Sequence, residues 1–291
     1  MKTYLFAPIN NECLCLDLQL AEGANWIDEV HVTEVNMNFQ GGAKDFMFHE
    51  MQKERLKVHS YDGSSLLKYD WLSRKIGVYS KKDNVFAPFI KNRFGRVRMT
   101  WYNEAIQRNC ASNFFSILSD EDIVILSDID EIIDSRFSDQ IISEVKKRGI
   151  ITIKLHFTLF FLNLFSKNWG GPRDYSYRTF VMTGKYFKSL KYSSDYLRKL
   201  GENNKLLNEI YCPDEIMGFH HSWLGDEAFI SEKLSSYAHV EHKGLNSANF
   251  IKQCLREKKS IFPGHELYAD SNIPLLRSVE MLRITENNFF I

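Results

Sequence analysis

The sequence contains neither of the glycine-rich phosphate cradles. No Gly-x-x-x-x-Gly-Lys-Ser/Thr loop and no Gly-x-Gly-x-x-Gly turn occurs in it, so the two common ways of holding a diphosphate on backbone amides are excluded. Cys-x-x-Cys pairs are missing as well. The five cysteines, Cys13, Cys15, Cys110, Cys212 and Cys254, offer no zinc knuckle or redox dithiol, and their number and spacing fit a reducing compartment best. Cys13 and Cys15 stand two apart and read as small buried hydrophobes rather than half of a metal site. No apolar run is long enough to cross a bilayer: the longest, Leu155 to Phe165, is interrupted by His156, Thr158 and Asn163. Met1 to Pro8 has one basic residue and too short an apolar stretch for a signal peptide. Neither sign of charge is in excess, since Lys+Arg and Asp+Glu are both 37, which disfavours a generally basic nucleic-acid binder.

What is present is an ordinary globular composition, 44% hydrophobic and 25% charged over 291 residues, enough to bury a full core. Thr3–Phe6 reads as a first strand, the leucines after Asn11 as a helix, Val30–Val35 as a second strand and Leu56–His59 as a third. Apolar positions from Trp101 to Leu118 recur at helical spacing, and Glu104 stands four before Arg108. Ile123–Leu126 is a short, wholly apolar run of the kind buried on both faces of a sheet. A helix from Ser135 or Ser138 is expected to stop at Gly149 after Lys146, Lys147 and Arg148. Longer strands follow over 151–161 and 175–183, and the tail after Asp226 reads as mostly helical. Strand–helix alternation predicts a Rossmann-type α/β/α sandwich on a mixed, mostly parallel sheet, in one domain over 1–291. Its parts are a nucleotide-binding half (1–149), an acceptor-side half (150–225) and a helical C-terminal segment (226–291).

Carboxylates accumulate where the apolar strand ends, in Ser127-Asp128-Ile129-Asp130-Glu131, and open α/β sheets bind ligands at such ends. If the backbone there is extended, Asp128 and Asp130 project to one side and Ile129 into the core. Two uncompensated carboxylates so close repel; a hard divalent cation, Mn²⁺ or Mg²⁺, relieves that repulsion and supplies positive charge for a phosphate. The bland reading is a solvated acidic turn capping the next helix. With no glycine-rich cradle available, a cation and basic side chains are what a nucleotide-sugar transferase requires to stabilise its nucleoside-diphosphate leaving group.

Several segments resemble one family, the family 17 glycosyltransferases, relatives of the bisecting β-1,4-N-acetylglucosaminyltransferase, in their bacterial form. Asn11-Glu12 followed by leucines, Val32-Thr33-Glu34 with Phe39-x-Gly41, and Trp101-x-x-Glu104-x-x-Gln107-Arg108-Asn109 are similar to family elements. So are Ser127-Asp128-Ile129-Asp130-Glu131-Ile132 and Gly218-Phe219-His220-His221-Ser222-Trp223, the latter followed by Lys233-Leu234 and His239-x-Glu241. Ile133 and Phe219 depart from the family's usual proline and tryptophan, and 185–211 matches poorly, so acceptor specificity is expected there.

The resemblance implies a GT-A-like fold, a UDP-sugar donor (N-acetylglucosamine among the sugars), inversion at the anomeric carbon, and a glycan or lipid-linked oligosaccharide acceptor. It makes Asp130 and Asp128 metal ligands, Asp128 alternatively a ribose contact, and His220 a third ligand, with His221 competing and a core histidine as the plain alternative. Glu34, Arg108 and Lys233 become donor contacts; a strand-end carboxylate, a helix-surface ion pair with Glu104 and a solvated lysine are their plain alternatives. Direct displacement needs a carboxylate base, for which Asp214, Glu215, Asp226 and Glu241 stand open. Trp169, Tyr175 and Trp223 are candidate sugar-stacking rings or simply buried aromatics. A metal-dependent phosphohydrolase and an inactive carbohydrate-binding homologue are the competing functions. A cytoplasmic enzyme is expected, free of nucleic acid and of any integral membrane segment, and brought to the inner face of the membrane by a lipid-linked acceptor.

Overall fold

The computed structural model describes residues 1–51, 53–64, 97–167, 169, 175–190, 193–202, 210–237, 240–285 and 287–291. The elements in chain order are β1 (Thr3–Ile9), α1 (Cys13–Glu22), β2 (Glu29–Val35), β3 (Leu56–Tyr61), α2 (Val97–Asn109), β4 (Ile123–Leu126), β5 (Glu131–Ile133), α3 (Ser138–Arg148) and β6 (Ile150–Leu159). They continue as β7 (Phe165–Ser166), β8 (Tyr175–Thr183), α4 (Gly184–Lys188), α5 (Ser194–Glu202), β9 (Ile216–Ser222), α6 (Glu227–Ser236), α7 (Ala248–Glu257), β10 (Leu267–Tyr268) and α8 (Arg277–Thr285).

One sheet runs in the order β10-β7-β6-β8-β4-β1-β2-β3, with β9 paired to both β6 and β5. β3, β2, β1 and β4 are mutually parallel; β8 enters against β4 and β6 against β8, which restores the original direction. The α/β sandwich on a mixed sheet expected from the sequence is therefore formed. Its cause is visible in β1, whose consecutive residues feed two cores: Leu5, Ala7 and Ile9 pack on one face with α1, α3 and α8, and Tyr4 and Phe6 on the other with α4 and α5. β4 divides likewise, Ile123 and Ile125 against Val124 and Leu126. A strand buried on both sides needs apolar residues throughout, which is why Ile123–Leu126 shows no alternation. Each of these branched side chains, buried completely, contributes about 1.5–3 kcal/mol. The C-terminal helices α6 and α7 close a third cluster over the ends of β6 and β9, built on Phe157, Phe160, Trp223 and Phe262.

Two glycines mark close fits. Gly149, at φ 85°, ends α3 by returning its N–H to Val145 O. A Cβ on Gly218 would stand 2.3 Å from Ile132 O, so only glycine lets β9 lie against β5. Three expectations need correction. The helix beginning before Trp101 ends at Asn109 and tightens into a 3-10 segment over Cys110–Ile117, where Ser112 Oγ bonds back to Asn109 O. β6 stops at Leu159 because Phe160 turns left-handed at φ 67°. Cys13 is exposed at the first turn of α1, whereas Cys15 is buried as expected.

Candidate active site at the carboxyl ends of the central strands

A cavity of ≈ 420 Å³ opens where β1, β4 and β9 end, lined among others by Glu12, Glu104, Asp128, Asp130, His220 and Lys233. The acidic segment after β4 is a β-turn, not extended chain: Glu131 N donates to Asp128 O at 3.0 Å. That corrects the same-side argument. The turn separates the two aspartates into different surroundings, although Ile129 is buried as anticipated.

Asp128 is gripped by two arginines. Arg108 of α2 donates Nε to Oδ1 and Nη2 to Oδ2, both at 2.9 Å, and Arg198 of α5 reaches Oδ2 at 2.7 Å. Burial pushes the Asp128 carboxyl up, but the charges of Arg108 and Arg198 outweigh it and hold the group well below the usual carboxylate range. The repulsion that a cation was expected to relieve at Asp128 is thus already answered by protein charge. Arg108 is itself held by Glu104 at 2.7 Å and Asp195 at 3.2 Å, so its donors are committed to carboxylates rather than left for a phosphate. Arg178 of β8 lines the same cavity.

Asp130 has a different environment. Among the described residues its side chain meets only His220, Oδ2 to Nε2 at 3.4 Å. Burial again pushes the carboxyl up, and His220 and Lys233 more than reverse it, leaving the value lowered. The ladder explains the meeting: Glu131 of β5 lies opposite His220 of β9, and Phe157 of β6 flanks it on the other side. Glu131 is fully buried and orders the surroundings. Its Oε1 takes Arg198 Nη1 at 2.8 Å and lies 4.0 Å from His220 Nδ1, and its Oε2 accepts Thr179 Oγ1 and the Asp128 N–H, each at 3.1 Å. His220 Nδ1 is buried without a hydrogen-bond partner among the described residues. His221, by contrast, points to the opposite face of β9, bonds Thr158 Oγ1 through Nδ1 at 2.7 Å, and is pushed down to about 3 by burial and by His220.

Lys233 of α6 spans from Glu12, at 3.3 Å, toward the cavity. Burial lowers its ammonium value, but Glu12 and Asp130 win and raise it, so it stays charged. Glu12 anchors the other end by accepting the N–H groups of Asn10 and Asn11.

The remaining expected residues lie elsewhere. Glu34 is fully buried and accepts the Met47 and Phe48 N–H groups at 2.6 and 3.0 Å; it ties down the 47–48 loop and does not line the cavity. Asp214 and Glu215 are exposed before β9, roughly 16 Å of extended strand from His220. Asp226 is the N-cap of α6, accepting Phe229 N at 2.9 Å. The side chain of Glu241 and the whole of His239 lie outside the described residues. Trp169 and Trp223 line the cavity and Tyr175 does not. Sequence reasoning missed Arg198 and Asp195, which come from the poorly matching 185–211 stretch; nothing in their spacing ties α5 to the acidic turn.

Among the described residues no three His, Cys, Asp or Glu side chains converge to hold a metal. Asp130 and His220 offer one carboxylate and one imidazole, and that pair suits Mn²⁺ better than Mg²⁺. Further ligands would come from phosphate or water. No helix among the described residues is long and apolar enough to cross a membrane.

No protein-family model and no curated protein matches the chain. Among solved structures it is similar to S. aureus TarS 1-349, at 13% identity over 88% of this chain and 72% of that one, with a TM-score of 0.39. It is also similar to the galactosyltransferase LgtC in complex with donor and acceptor sugar analogs, at 10% identity over 72% of this chain and 66% of that one, with a TM-score of 0.30.

Proposed function

We propose that the chain is a metal-dependent glycosyltransferase of the family 17 type, moving a sugar from a UDP-sugar donor to a glycan or lipid-linked acceptor with inversion. The observation that carries the reading is the division of labour in the acidic turn. Asp128 is neutralised by Arg108 and Arg198, whereas Asp130 and His220 Nε2 sit side by side on the cavity. In this reading Asp130 and His220 hold Mn²⁺, and Glu131 stands behind the imidazole to fix its orientation. Bound there, the cation would act as Lewis acid on the departing diphosphate.

The chain's own groups do the rest. Lys233, kept charged beside Glu12, and Arg178 face the cavity and offset diphosphate charge. Asp128, rigidly clamped, serves as a positioned acceptor for a ribose hydroxyl rather than as a primary metal ligand. Of the four base candidates none described lines this cavity. Glu104 does, and its Oε2 is buried without a partner among the described residues; a carboxylate oxygen able to accept a proton is what direct displacement needs. Trp169 and Trp223 provide ring faces for a sugar.

A panel of nucleotide sugars incubated with and without Mn²⁺ tests this, reading released nucleoside diphosphate and transferred sugar. Metal-stimulated UDP release that disappears in Asp130→Asn is expected. Release of inorganic phosphate instead of UDP would establish the phosphohydrolase, and no turnover of any donor would leave a carbohydrate-binding homologue.

A further inference from the structure

β9 separates two cavities. Side chains alternate along a strand, so His220 and Ser222 line the first cavity, and His221 lines a second, of ≈ 550 Å³, on the other face. The two share Glu12, Trp223 and Lys233 as a common wall. This volume is in the range of small-molecule sites, about 300–1,000 Å³. Rings and branched chains surround it: Leu14, Phe160, Phe161, Phe229, Leu255 and Phe289.

Two polar atoms there have no hydrogen-bond partner among the described residues. His221 is 1% exposed and its Nε2 has no partner, since Thr158 occupies only Nδ1. Asn11 Oδ1 is likewise buried and unpaired. A buried group left unsatisfied costs stability unless a ligand completes it. Backbone conformation points to the same place: Phe160 and Trp223, the residues that follow β6 and β9, are both left-handed, at φ 67° and 60°. Bulky residues avoid that region, and such strain concentrates at ligand clamps.

We propose that the second cavity binds a neutral saccharide unit of the acceptor, distal to the unit that receives the transferred sugar. Aromatic faces take the ring's apolar side, and His221 Nε2 and Asn11 Oδ1 take its hydroxyls. A charged ligand is disfavoured because, of the charged side chains lining the cavity, Glu12 and Lys233 already pair with each other and Asp226 caps α6 by accepting the Phe229 N–H. A plain alkyl chain would leave both polar atoms unsatisfied. The word acceptor rests on the transferase reading; saccharide binding in this cavity does not.

The test measures binding without any donor. Methyl β-D-glucopyranoside, methyl N-acetyl-β-D-glucosaminide and octan-1-ol are titrated against the full chain by saturation-transfer NMR and calorimetry, in the wild type, Asn11→Ala and His221→Phe. Asn11→Ala removes an atom the fold does not use, so it stays informative if His221→Phe, which strips Thr158 of its partner, fails to fold. A glycoside binding in the millimolar range and weakened about tenfold by Asn11→Ala is expected, one lost hydrogen bond's worth. No glycoside binding, binding indifferent to the folded variants, or octanol binding in place of both glycosides overturns the inference. Donor turnover without saccharide binding would sink this inference alone. Variant-sensitive saccharide binding without donor turnover would uphold it and sink the transferase reading.

Discussion

Replacing Arg198 by methionine removes a charge shared by Glu131, which is fully buried, and Asp128, whose side chain is 18% exposed. The Arg198 side chain is 8% exposed, and it bonds Asp128 at 2.7 Å and Glu131, which is 0% exposed, at 2.8 Å. Deleting one member of such a group leaves carboxylates desolvated without compensation, which costs about 3–5 kcal/mol. Asp128 retains its bidentate Arg108, so the lower end applies, and Glu131 bears most of the loss. About 3 kcal/mol corresponds to a fall in Tm of roughly 5 °C for a chain of 291 residues. The loss should depend on pH with a definite sign. Asp128 has a folded value well below its unfolded one, so it contributes stability above the ordinary carboxylate range and loses it only as pH falls through the folded value. Without Arg198 that folded value rises, protonation comes sooner, and the gap between variant and wild type narrows as the solution is acidified. Urea unfolding of wild type, Arg198→Met, Glu131→Gln and the double variant at pH 7 and in acid measures both effects. The double variant should recover at least about 1 kcal/mol, the coupling expected within one ion-pair network. A single variant within about 0.5 kcal/mol of wild type, or a gap that widens in acid, would refute the reasoning.

Asp130→Asn should lose at least about a hundredfold in metal-stimulated donor turnover while Tm stays within a few degrees, because the described structure gives its carboxylate no partner but His220; Mn²⁺ titration of UDP release checks it. Glu34→Ala should behave in the opposite way: the buried Phe48 N–H and the part-buried Met47 N–H lose their acceptor, stability drops by about 1–3 kcal/mol, and the donor KM of the folded fraction is unchanged. The stacked pair His31 and His59, 3.0 Å apart between Nδ1 and Nε2, predicts acid sensitivity of another kind. Burial, then His31, pushes His59 down to about 4, so its neutral form contributes stability that is complete above the unfolded value of about 6.5 and lost as pH falls toward 4. Discounted for partial exposure this is roughly 1–2 kcal/mol, and His59→Phe should flatten that limb in urea unfolding. Gly218→Ala should cost about 1–3 kcal/mol by pushing β9 off β5, with His220 displaced and turnover reduced even where the protein stays folded.

The legible parts of the chain were those where a local pattern and a tertiary role coincide. Ile123–Leu126 could be placed at the sheet centre because burial on both faces demands an unbroken apolar run. The end of α3 could be placed because Gly149 supplies the left-handed residue that stops it. The position of the acidic turn at the end of β4 is legible and its shape is not, since spacing cannot distinguish an extended Asp-x-Asp from one closed by the Glu131 N–H to Asp128 O bond. Glu34 reads like a ligand-facing strand-end carboxylate, and only the path of the 47–48 loop shows that its oxygens are spent on backbone. Arg198 was invisible for a different reason: its partners lie 67 and 70 positions away in sequence, and an arginine on an amphipathic helix carries no local sign of burial.

The way charge is balanced around the turn also constrains what the cavity can accept. Arg108 and Arg198 look at first like a phosphate cradle replacing the missing glycine-rich loop. Their donors, however, are directed at Asp128, Glu131, Glu104 and Asp195, and a diphosphate that drew them away would uncover carboxylates buried beneath it. With Glu12 paired to Lys233, the acidic side chains on the cavity wall, Glu12, Glu104, Asp128 and Asp130, are matched one for one by Arg108, Arg178, Arg198 and Lys233, and no net positive charge is left over before a ligand arrives. An anion entering such a balanced site gains little net attraction unless it brings its own counter-charge. A nucleotide that arrives with its divalent cation does so, and Asp130 beside His220 is the place where that charge would be received. The balance therefore predicts ordered behaviour: UDP should bind weakly alone and about tenfold or more tightly with Mn²⁺. The same measurement on Asp130→Asn should show the metal dependence gone and the weak binding retained.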